Sequence, residues 1–223
     1  YLQRIPVFFL GSSQIIMKKF IKSTNNIQYR IKRTFDVIIA FLIILFTLPI
    51  VILCSIFIFL EDRGPIIYQQ KRTGLNNKKF TIYKLRTMKV NAESNGIQWS
   101  KKNDTRITFV GKILRKTRID ELPQLFCVLN SDMSLIGPRP ERPEIDTYLG
   151  QNIENYHLRY KIKPGLSGWA QVNYPYGASL DDSKNKLSYD LYYMKNFNLF
   201  LDLLIFFKTL RLILNASGAI AKG

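Results

Sequence analysis

One segment, residues 37–60, is apolar almost without interruption, and it constrains the fold more than any other part of the chain. As a straight helix it would extend roughly 36 Å, at about 1.5 Å per residue, which is enough to cross a hydrocarbon core about 30 Å thick. Its interruptions are Thr47, Pro49 and Ser55. The sequence therefore predicts a helix that enters a membrane.

Two features leave the topology of that helix open. Pro49 lies near its middle, where it removes a backbone hydrogen bond and clashes with the preceding turn, so we expect a kink there. Both flanks are basic, and positive residues prefer the cytoplasmic side of a membrane. Physical arguments therefore favour a spanning helix and a helix that returns to the same face about equally. The flanking cations are Arg30, Lys32 and Arg33 before the segment, and Arg63, Lys71, Arg72, Lys78 and Lys79 after it.

The charge of the chain predicts an anionic partner, because its formal net charge is +17 over 223 residues. Nucleic acid, anionic lipid and phosphorylated small substrates are the candidates. The single histidine, His157, and the lack of a Cys/His cluster argue against zinc, whereas Mg²⁺ needs only carboxylate and phosphate oxygens. Cys54 and Cys127 lie in different kinds of segment, so we expect no disulfide and a reducing compartment.

The pattern after the apolar segment predicts a small α/β catalytic domain, mostly helical, over residues 63–215. Two strands are predicted at 66–69 and 79–84, with a turn at Gly74 between them. Helices are predicted at 108–117, from 120 to 129, and at 152–161, 179–196 and 197–214. The first of these has Phe109, Ile113 and Leu114 on its predicted apolar face.

The last predicted helix, 197–214, contains Asp202, Lys208 and Arg211, which would be costly at a bilayer centre. We therefore expect an interfacial or a core helix there. Outside the domain, residues 1–29 are interpreted as an N-terminal segment and a candidate remnant of a longer N-terminal region, with a short helix at 14–21. Residues 30–62 form the membrane element, 216–223 a flexible tail, and 91–104 a mobile loop.

The densest chemical signal is the acidic pair Asp120 and Glu121, which follows the cations of residues 115–118. Taken alone, Asp120 is more often a helix cap than a catalytic group. A helix N-terminus and nearby cations would favour its ionised form. An ionised aspartate can attack phosphorus while a neighbouring carboxylate holds a metal. Catalysis and capping thus both remain open for this pair.

Arg139 is the second signal, because Pro138 and Pro140 restrict the backbone on either side of it. A guanidinium ordered in this way can bind phosphate with little flexibility to lose. The alternative is a rigid surface turn. Residues 134–143 are predicted as a loop, and residues 163–173 as a structured loop entering a strand, with Trp169 in the core or an interface.

Five ordered segments together resemble the bacterial sugar transferase family, the monotopic polyprenyl-phosphate sugar-1-phosphate transferases. They are KRTFD at 32–36, YKLRTM at 83–88, DELPQL at 120–125, DMSLIGPRP at 132–140 and KPGLSGWAQVN at 163–173. The resemblance covers residues 30–214 and is greatest to the exopolysaccharide branch. Two departures stand out: Leu48 precedes Pro49 where many members have serine, and Tyr160 occupies a position where histidine is frequent.

The resemblance implies a function and a site. Asp120 matches a nucleophile that attacks the sugar-bearing phosphorus of a UDP-sugar, and Glu121 matches its Mg²⁺-associated neighbour. Lys84, Arg115 and Arg139 match phosphate-binding positions. Polyprenyl (undecaprenyl) phosphate would accept the sugar phosphate. The family also implies a re-entrant helix broken at Pro49, in the bacterial inner membrane, with the domain facing the cytoplasm.

A different class of function remains as the alternative: a membrane-anchored basic protein that binds nucleic acid or anionic lipid without catalysis. Clustering of the cations with Asp120 and Glu121 argues against it, because paired carboxylates repel a phosphate backbone unless a metal intervenes. We therefore expect no nucleic-acid partner. The sequence names neither the sugar nor the oligomeric state, and residues 91–104 and 174–182 are the candidates for sugar selection.

Overall fold

The computed structural model describes residues 27–94, 96, 104–175, 177 and 179–215. It begins with α1, a 35-residue helix over Ile27–Glu61. Within the described part of the chain, α1 is the one helix long and apolar enough to cross a membrane. The helix predicted at 14–21, the tail predicted at 216–223 and most of the loop predicted at 91–104 lie outside the described residues.

Helical backbone continues through Pro49, so α1 is not divided into two helices there, and a kink within the continuous helix at this proline stays a prediction. A proline removes one hydrogen bond, whereas a full break in an apolar segment would leave several backbone groups without partners. The two hydroxyls of the segment are satisfied within the helix. Thr47 Oγ1 donates to the carbonyl of Ile43 at 2.7 Å, and Ser55 Oγ donates to that of Val51 at 2.8 Å.

After α1 the chain forms the predicted hairpin. Strands β1 (Ile67–Thr73) and β2 (Lys79–Leu85) pair antiparallel, and a 3₁₀ turn at Leu75–Asn77 joins them. The prediction is confirmed, with β1 longer than expected. Antiparallel register places Tyr68 opposite Lys84.

The remaining elements are short helices and turns, with one further strand pair. A helix begins after the N-cap residue Thr108, as predicted, and the predicted helix from Asp120 divides into a 3₁₀ turn followed by a short α-helix. The segment predicted helical at 152–161 is mostly a 3₁₀ turn. The elements are α2 (Phe109–Thr117), a 3₁₀ turn (Ile119–Gln124), α3 (Leu125–Leu129), β3 (Ser134–Ile136), α4 (Pro143–Asn152), a 3₁₀ turn (Tyr156–Lys161), β4 (Gly165–Ser167), α5 (Trp169–Asn173), α6 (Leu180–Lys195) and α7 (Leu199–Leu214).

Strands β3 and β4 pair in parallel and correct the loop predicted at 134–143. The segment 163–173 also differs from the prediction, because a strand comes first and helix α5 follows it. Three-residue strands are too short to show an alternating pattern. Glycine makes the pairing sterically feasible: a Cβ on Gly165 would lie 2.0 Å from the backbone nitrogen of Gly137.

Gly165→Ala is therefore expected to destabilise the protein, because the added methyl group would force β3 and β4 apart. Thermal unfolding in matched detergent measures the effect. Gly150→Ala is the control, since nothing lies within 4 Å of its Cβ and it is within α4. We expect that control to be neutral or stabilising by up to about 1 kcal/mol. Equal melting temperatures for the two variants would contradict the prediction.

Both ends of α1 are attached to the same domain. Near its start, Arg33 donates to the carbonyl of Val128 at 2.7 Å, and Lys32 Nζ lies 2.7 Å from Asp202 Oδ2 on α7. At its end, the Glu61 carboxylate accepts the backbone N–H groups of Phe109 and Val110 at 2.6 and 3.0 Å. Between these attachments much of the helix is exposed. Its exposed large side chains include Phe41, Leu42, Leu45, Phe46, Leu48, Ile50, Ile52, Leu53, Ile56 and Phe57.

The predicted apolar face of α2 is partly wrong. Leu114 is buried, but Phe109 and Ile113 are exposed, because Leu114 packs with Ile58 of α1 and Leu85 of β2 while the other two face outward. On α7 the charge of Asp202, which would be costly at a bilayer centre, is paired within the protein. Asp202 pairs with Lys32 of α1, as described above.

The prediction that Trp169 belongs to the core or an interface is confirmed. Its ring is buried and stacks on Tyr192 of α6, with 5.8 Å between ring centroids. Lys208 Nζ of α7 lies 4.7 Å from the centroid of the same ring. Trp169 therefore joins α5 to α6 and α7.

Candidate active site

Asp120 and Glu121 lie in the 3₁₀ turn that directly follows α2. Arg118 ends α2 in the left-handed conformation, with φ of 60°, so the chain reverses there. Both acidic side chains are buried beneath the reversal. Arg118 is also the N-cap residue of the turn, so the interpretation of Asp120 as a helix cap is wrong.

Glu121 is surrounded by cations. Lys84 Nζ lies 2.8 Å from Oε1, and Arg139 donates to both oxygens, with 3.4 Å between Nη1 and Oε2. Arg118 Nη1 lies 3.7 Å from Oε2. Burial alone would raise the pKa of Glu121, but Arg139 and Lys84 hold it well below its usual range. Glu121 is therefore an ionised, charge-compensated carboxylate.

Asp120, unlike Glu121, is not compensated by direct contacts between its Oδ1 atom and cations of the described part of the chain. Its Oδ1 is buried and has no hydrogen-bond partner among the described residues. Burial and the charge of Glu121 raise the pKa of Asp120 to about 6, against the opposing effect of Lys84, Arg115 and Arg118. The expectation of an easily ionised Asp120 is therefore wrong in direction, because desolvation outweighs the nearby cations.

A mostly ionised carboxylate with a vacant acceptor is a suitable nucleophile. At pH 7 a pKa of about 6 still leaves Asp120 largely charged. Desolvation that is not offset by a hydrogen bond also makes an oxygen more reactive toward an incoming electrophile. The unpartnered Oδ1 of Asp120 is the oxygen that could form a bond to phosphorus or coordinate a cation.

Arg115 reaches the site from the last turn of α2. Its Nε donates to Thr87 Oγ1 at 2.9 Å, which connects α2 to the segment after β2. The close approach depends on Gly111, where a Cβ would lie 2.1 Å from the carbonyl oxygen of Thr87. The charge of Arg115 lowers the pKa of Asp120, against the larger effect of burial.

The structure thus brings together the residues that the sequence singled out. Lys84, Glu121 and Arg139 are in direct contact, and Asp120 and Arg115 lie beside them. Sequence reasoning missed two further groups. Arg118 was seen only as part of a basic run, because its contact with Glu121 requires the left-handed turn. Thr87 carried no signal beyond its place in the YKLRTM segment.

The donor set fits a shared Mg²⁺ better than a closed metal centre. Within the described ranges, no group of three or more His, Cys, Asp or Glu side chains could hold a metal. Mg²⁺ is commonly bound by one or two carboxylates together with substrate phosphates. The unpartnered Oδ1 of Asp120 suits that role, whereas both oxygens of Glu121 already contact cations. Glu121 could therefore act as a ligand only if one of those cations moved.

Comparison with known proteins places the site in a family. The sequence profile of the bacterial sugar transferase family matches residues 27–216. The chain is 47% identical over 189 residues, 85% of its length and 45% of the relative's, to the UDP-N-acetylgalactosamine-undecaprenyl-phosphate N-acetylgalactosaminephosphotransferase of Aeromonas hydrophila. It is 37% identical over 187 residues to the UDP-glucose:undecaprenyl-phosphate glucose-1-phosphate transferase of Escherichia coli (strain K12), covering 83% of this chain and 40% of that protein.

A relative with the same name as the second, from Caulobacter vibrioides, is 38% identical over 190 residues, covering 84% of this chain and 71% of its own length. The chain spans less than half the length of the Aeromonas and Escherichia relatives. Every residue of the site at Asp120 lies within the region matched by the family profile. The chain therefore belongs to the bacterial sugar transferase family.

Proposed function

We propose that this protein transfers a sugar-1-phosphate from a UDP-sugar to polyprenyl phosphate and releases UMP, through a covalent aspartyl intermediate. The observation that carries the proposal is the buried, unpartnered Oδ1 of Asp120 in a ring of cations. The same domain holds an exposed apolar helix, α1, suited to a lipid-linked acceptor. Relatives named for UDP-sugars and undecaprenyl phosphate support the two substrate classes.

In the first step, Asp120 Oδ1 attacks the sugar-bearing phosphorus of the UDP-sugar. A bond forms between Oδ1 and phosphorus, while the bond from that phosphorus to the bridging oxygen breaks. The electron pair leaves with UMP. In the second step, a phosphate oxygen of polyprenyl phosphate attacks the same phosphorus, and the electron pair of the breaking bond returns to the Asp120 carboxylate.

The cations around Asp120 supply charge stabilisation. Arg139 and Lys84 contact Glu121, the residue next to the nucleophile Asp120. Their N–H donors can there neutralise the charge of a bound diphosphate. Arg115 is placed to do the same from α2. Bound Mg²⁺, held through Asp120 or Glu121 together with the substrate phosphates, would screen the diphosphate charge and stabilise the leaving UMP.

We propose that α1 is re-entrant, with a kink at Pro49 that turns the continuous helix back toward the face from which it enters. A domain on one side of a bilayer can hold only one end of a spanning helix, whereas this domain contacts α1 near its start through Arg33 and at its end through Glu61. The exposed apolar middle of α1, with Pro49, would then lie in one leaflet of the inner membrane. The domain would face the cytoplasm, and the reaction would initiate exopolysaccharide, capsule or glycan assembly.

The intermediate gives the direct test of the function. Incubating the purified protein with Mg²⁺ and UDP-N-acetylgalactosamine or UDP-glucose, without acceptor, should release about one equivalent of UMP. Intact-protein mass spectrometry should then find the mass of one sugar phosphate added to the chain. Adding polyprenyl phosphate should remove that mass and restore turnover. UMP release that requires the acceptor and leaves the protein mass unchanged would argue for direct transfer.

The topology is tested by cysteine labelling. In a background with Cys54→Ser and Cys127→Ser, a single cysteine is placed at Gln28 or at Arg63, one at each end of α1. A membrane-impermeant maleimide is then applied to sealed vesicles of each orientation. Re-entry predicts that both positions are labelled from the cytoplasmic side. Labelling of the two positions from opposite sides would show that α1 spans the membrane.

A further inference from the structure

The loop that contains Arg139 has few backbone N–H groups with which to satisfy its own carbonyls. Pro138 and Pro140 have no backbone N–H, so two donors are missing from the segment between β3 and α4. Buried carbonyls nevertheless need partners. The four successive carbonyls from Pro138 to Glu141 all accept hydrogen bonds from elsewhere in the domain.

Two of those four bonds come from backbone and two from arginine side chains. Gly165 N–H donates to the carbonyl of Pro138 at 2.8 Å, and Thr73 N–H to that of Glu141 at 3.0 Å. Between them, Arg159 Nη2 donates to the carbonyl of Arg139 at 2.7 Å. Arg72 Nη1 donates to the carbonyl of Pro140 at 3.0 Å. The charged donors therefore bond to the carbonyl of Arg139 itself and to that of the next residue.

Several contacts fix the position of the Arg159 guanidinium. Arg159 is buried, with Nη2 3.0 Å from Asp190 Oδ2 and Nη1 donating to the Tyr156 hydroxyl at 2.5 Å. Its guanidinium lies 5.1 and 5.8 Å from the ring centroids of Tyr156 and Tyr160. A guanidinium fixed by an ion pair and two rings has little freedom to follow a moving loop.

Arg72 contacts the other side of the loop from β1. It is also largely buried, and its side chain bonds to Gln70 and lies 3.4 Å from Glu141 Oε2. The hydrogen bonds and ion pairs of Arg72 and Arg159 go to other residues than Asp120 and Glu121. Their shared feature is a contact with the backbone of the loop from which the Arg139 side chain points at Glu121.

We propose that Arg72 and Arg159 are positioning residues for Arg139, acting as a carbonyl clamp that aims its guanidinium at the donor diphosphate. The inference rests on the proposed function, because it assumes that Arg139 binds the phosphates of a UDP-sugar. A side chain displaced by about 1 Å can lose most of its contribution to binding the substrate diphosphate. Lysine is a poor replacement for Arg159. Nη2 contacts both Asp190 and the Arg139 carbonyl while Nη1 bonds to the Tyr156 hydroxyl, and a lysine ammonium lacks this pair of coplanar donors.

The test uses Arg159→Lys and Arg72→Gln, with Lys161→Gln as the matched control that removes an exposed cation from the same segment as Arg159. Arg159→Lys retains a positive charge for Asp190, and Arg72→Gln changes a different element, so that one folding failure does not decide the result. We expect each to raise KM for the UDP-sugar about tenfold with little change in kcat. Equilibrium binding of UDP should weaken in parallel. The control should match the wild type.

Each variant is also made with Arg139→Ala. If the clamp acts through Arg139, adding Arg159→Lys or Arg72→Gln to Arg139→Ala should leave KM and UDP affinity unchanged. Additive losses, or wild-type KM in both single variants, would overturn the inference. An Arg139→Ala protein that binds UDP as tightly as the wild type would instead remove the proposed donor site, and it is therefore distinguishable from failure of the clamp.

Discussion

Asp120→Asn is expected to lower UMP release by roughly 10³-fold or more, and at the same time to raise the melting temperature. Activity falls because an amide cannot form the covalent bond to phosphorus. The sugar-phosphate mass on the protein should disappear with it. Asp181→Asn is the matched control, since that carboxylate is exposed and lies 3.7 Å from Lys184 on the surface of α6.

The gain in stability follows from the raised pKa of Asp120. Burial, together with the charge of Glu121, raises it from 3.8 to about 6, so the folded state binds this proton more tightly than the unfolded state does. The stability that protonation provides is complete below about pH 3.8 and is lost as pH rises through about 6. At pH 7 the ionised carboxylate therefore destabilises the fold, and asparagine removes that cost.

We expect Asp120→Asn to be more stable than the wild type by roughly 1 to 3 kcal/mol at pH 7. The difference should shrink as the pH falls from about 6 toward 4, where the wild-type carboxyl is protonated. Thermal unfolding in detergent at several pH values measures it. A variant that loses both activity and stability at pH 7 would indicate that Asp120 has a structural role instead of a catalytic one.

Much of this site could be predicted from sequence because its residues lie in short, ordered segments. Lys84, Asp120, Glu121 and Arg139 were all identified, and the structure brings them together. What could not be predicted is how strongly burial raises the pKa of Asp120. Sequence shows the cations near Asp120, but its raised pKa depends on desolvation, which exists only once the turn after α2 is folded.

The fold, like the site, has parts that local sequence predicts and parts that depend on contacts between distant residues. The β1–β2 hairpin and the helices around it follow from local patterns and turn residues, whereas the β3–β4 pairing depends on contact between Gly137 and Gly165, which are distant in sequence. Prolines in the Arg139 loop indicated rigidity. The guanidiniums of Arg72 and Arg159 that bond to its carbonyls could not be identified, because long-range side-chain bonds leave no periodic signal.

Glu121→Gln should have the opposite effect on stability to Asp120→Asn, although the two residues are adjacent. Glutamine cannot neutralise Lys84 and Arg139, and a buried cation whose partner is removed is strongly destabilising. Because Arg139 is about one-third exposed, water screens part of this cost. We expect a loss of about 2 to 3 kcal/mol at pH 7, together with loss of UMP release as Arg139 and Lys84 reorient.

The pH dependence separates this loss from a general packing defect. Arg139 and Lys84 hold the pKa of Glu121 well below its usual 4.5, so its stabilising contribution is present above about pH 4.5 and is lost as the pH falls through the depressed value. The deficit of Glu121→Gln should therefore be full at pH 7 and shrink in strong acid. Glu154→Gln, at an exposed position, should melt like the wild type at every pH. A Glu121→Gln deficit that does not change with pH would mean that shape, and not charge, is what this residue contributes.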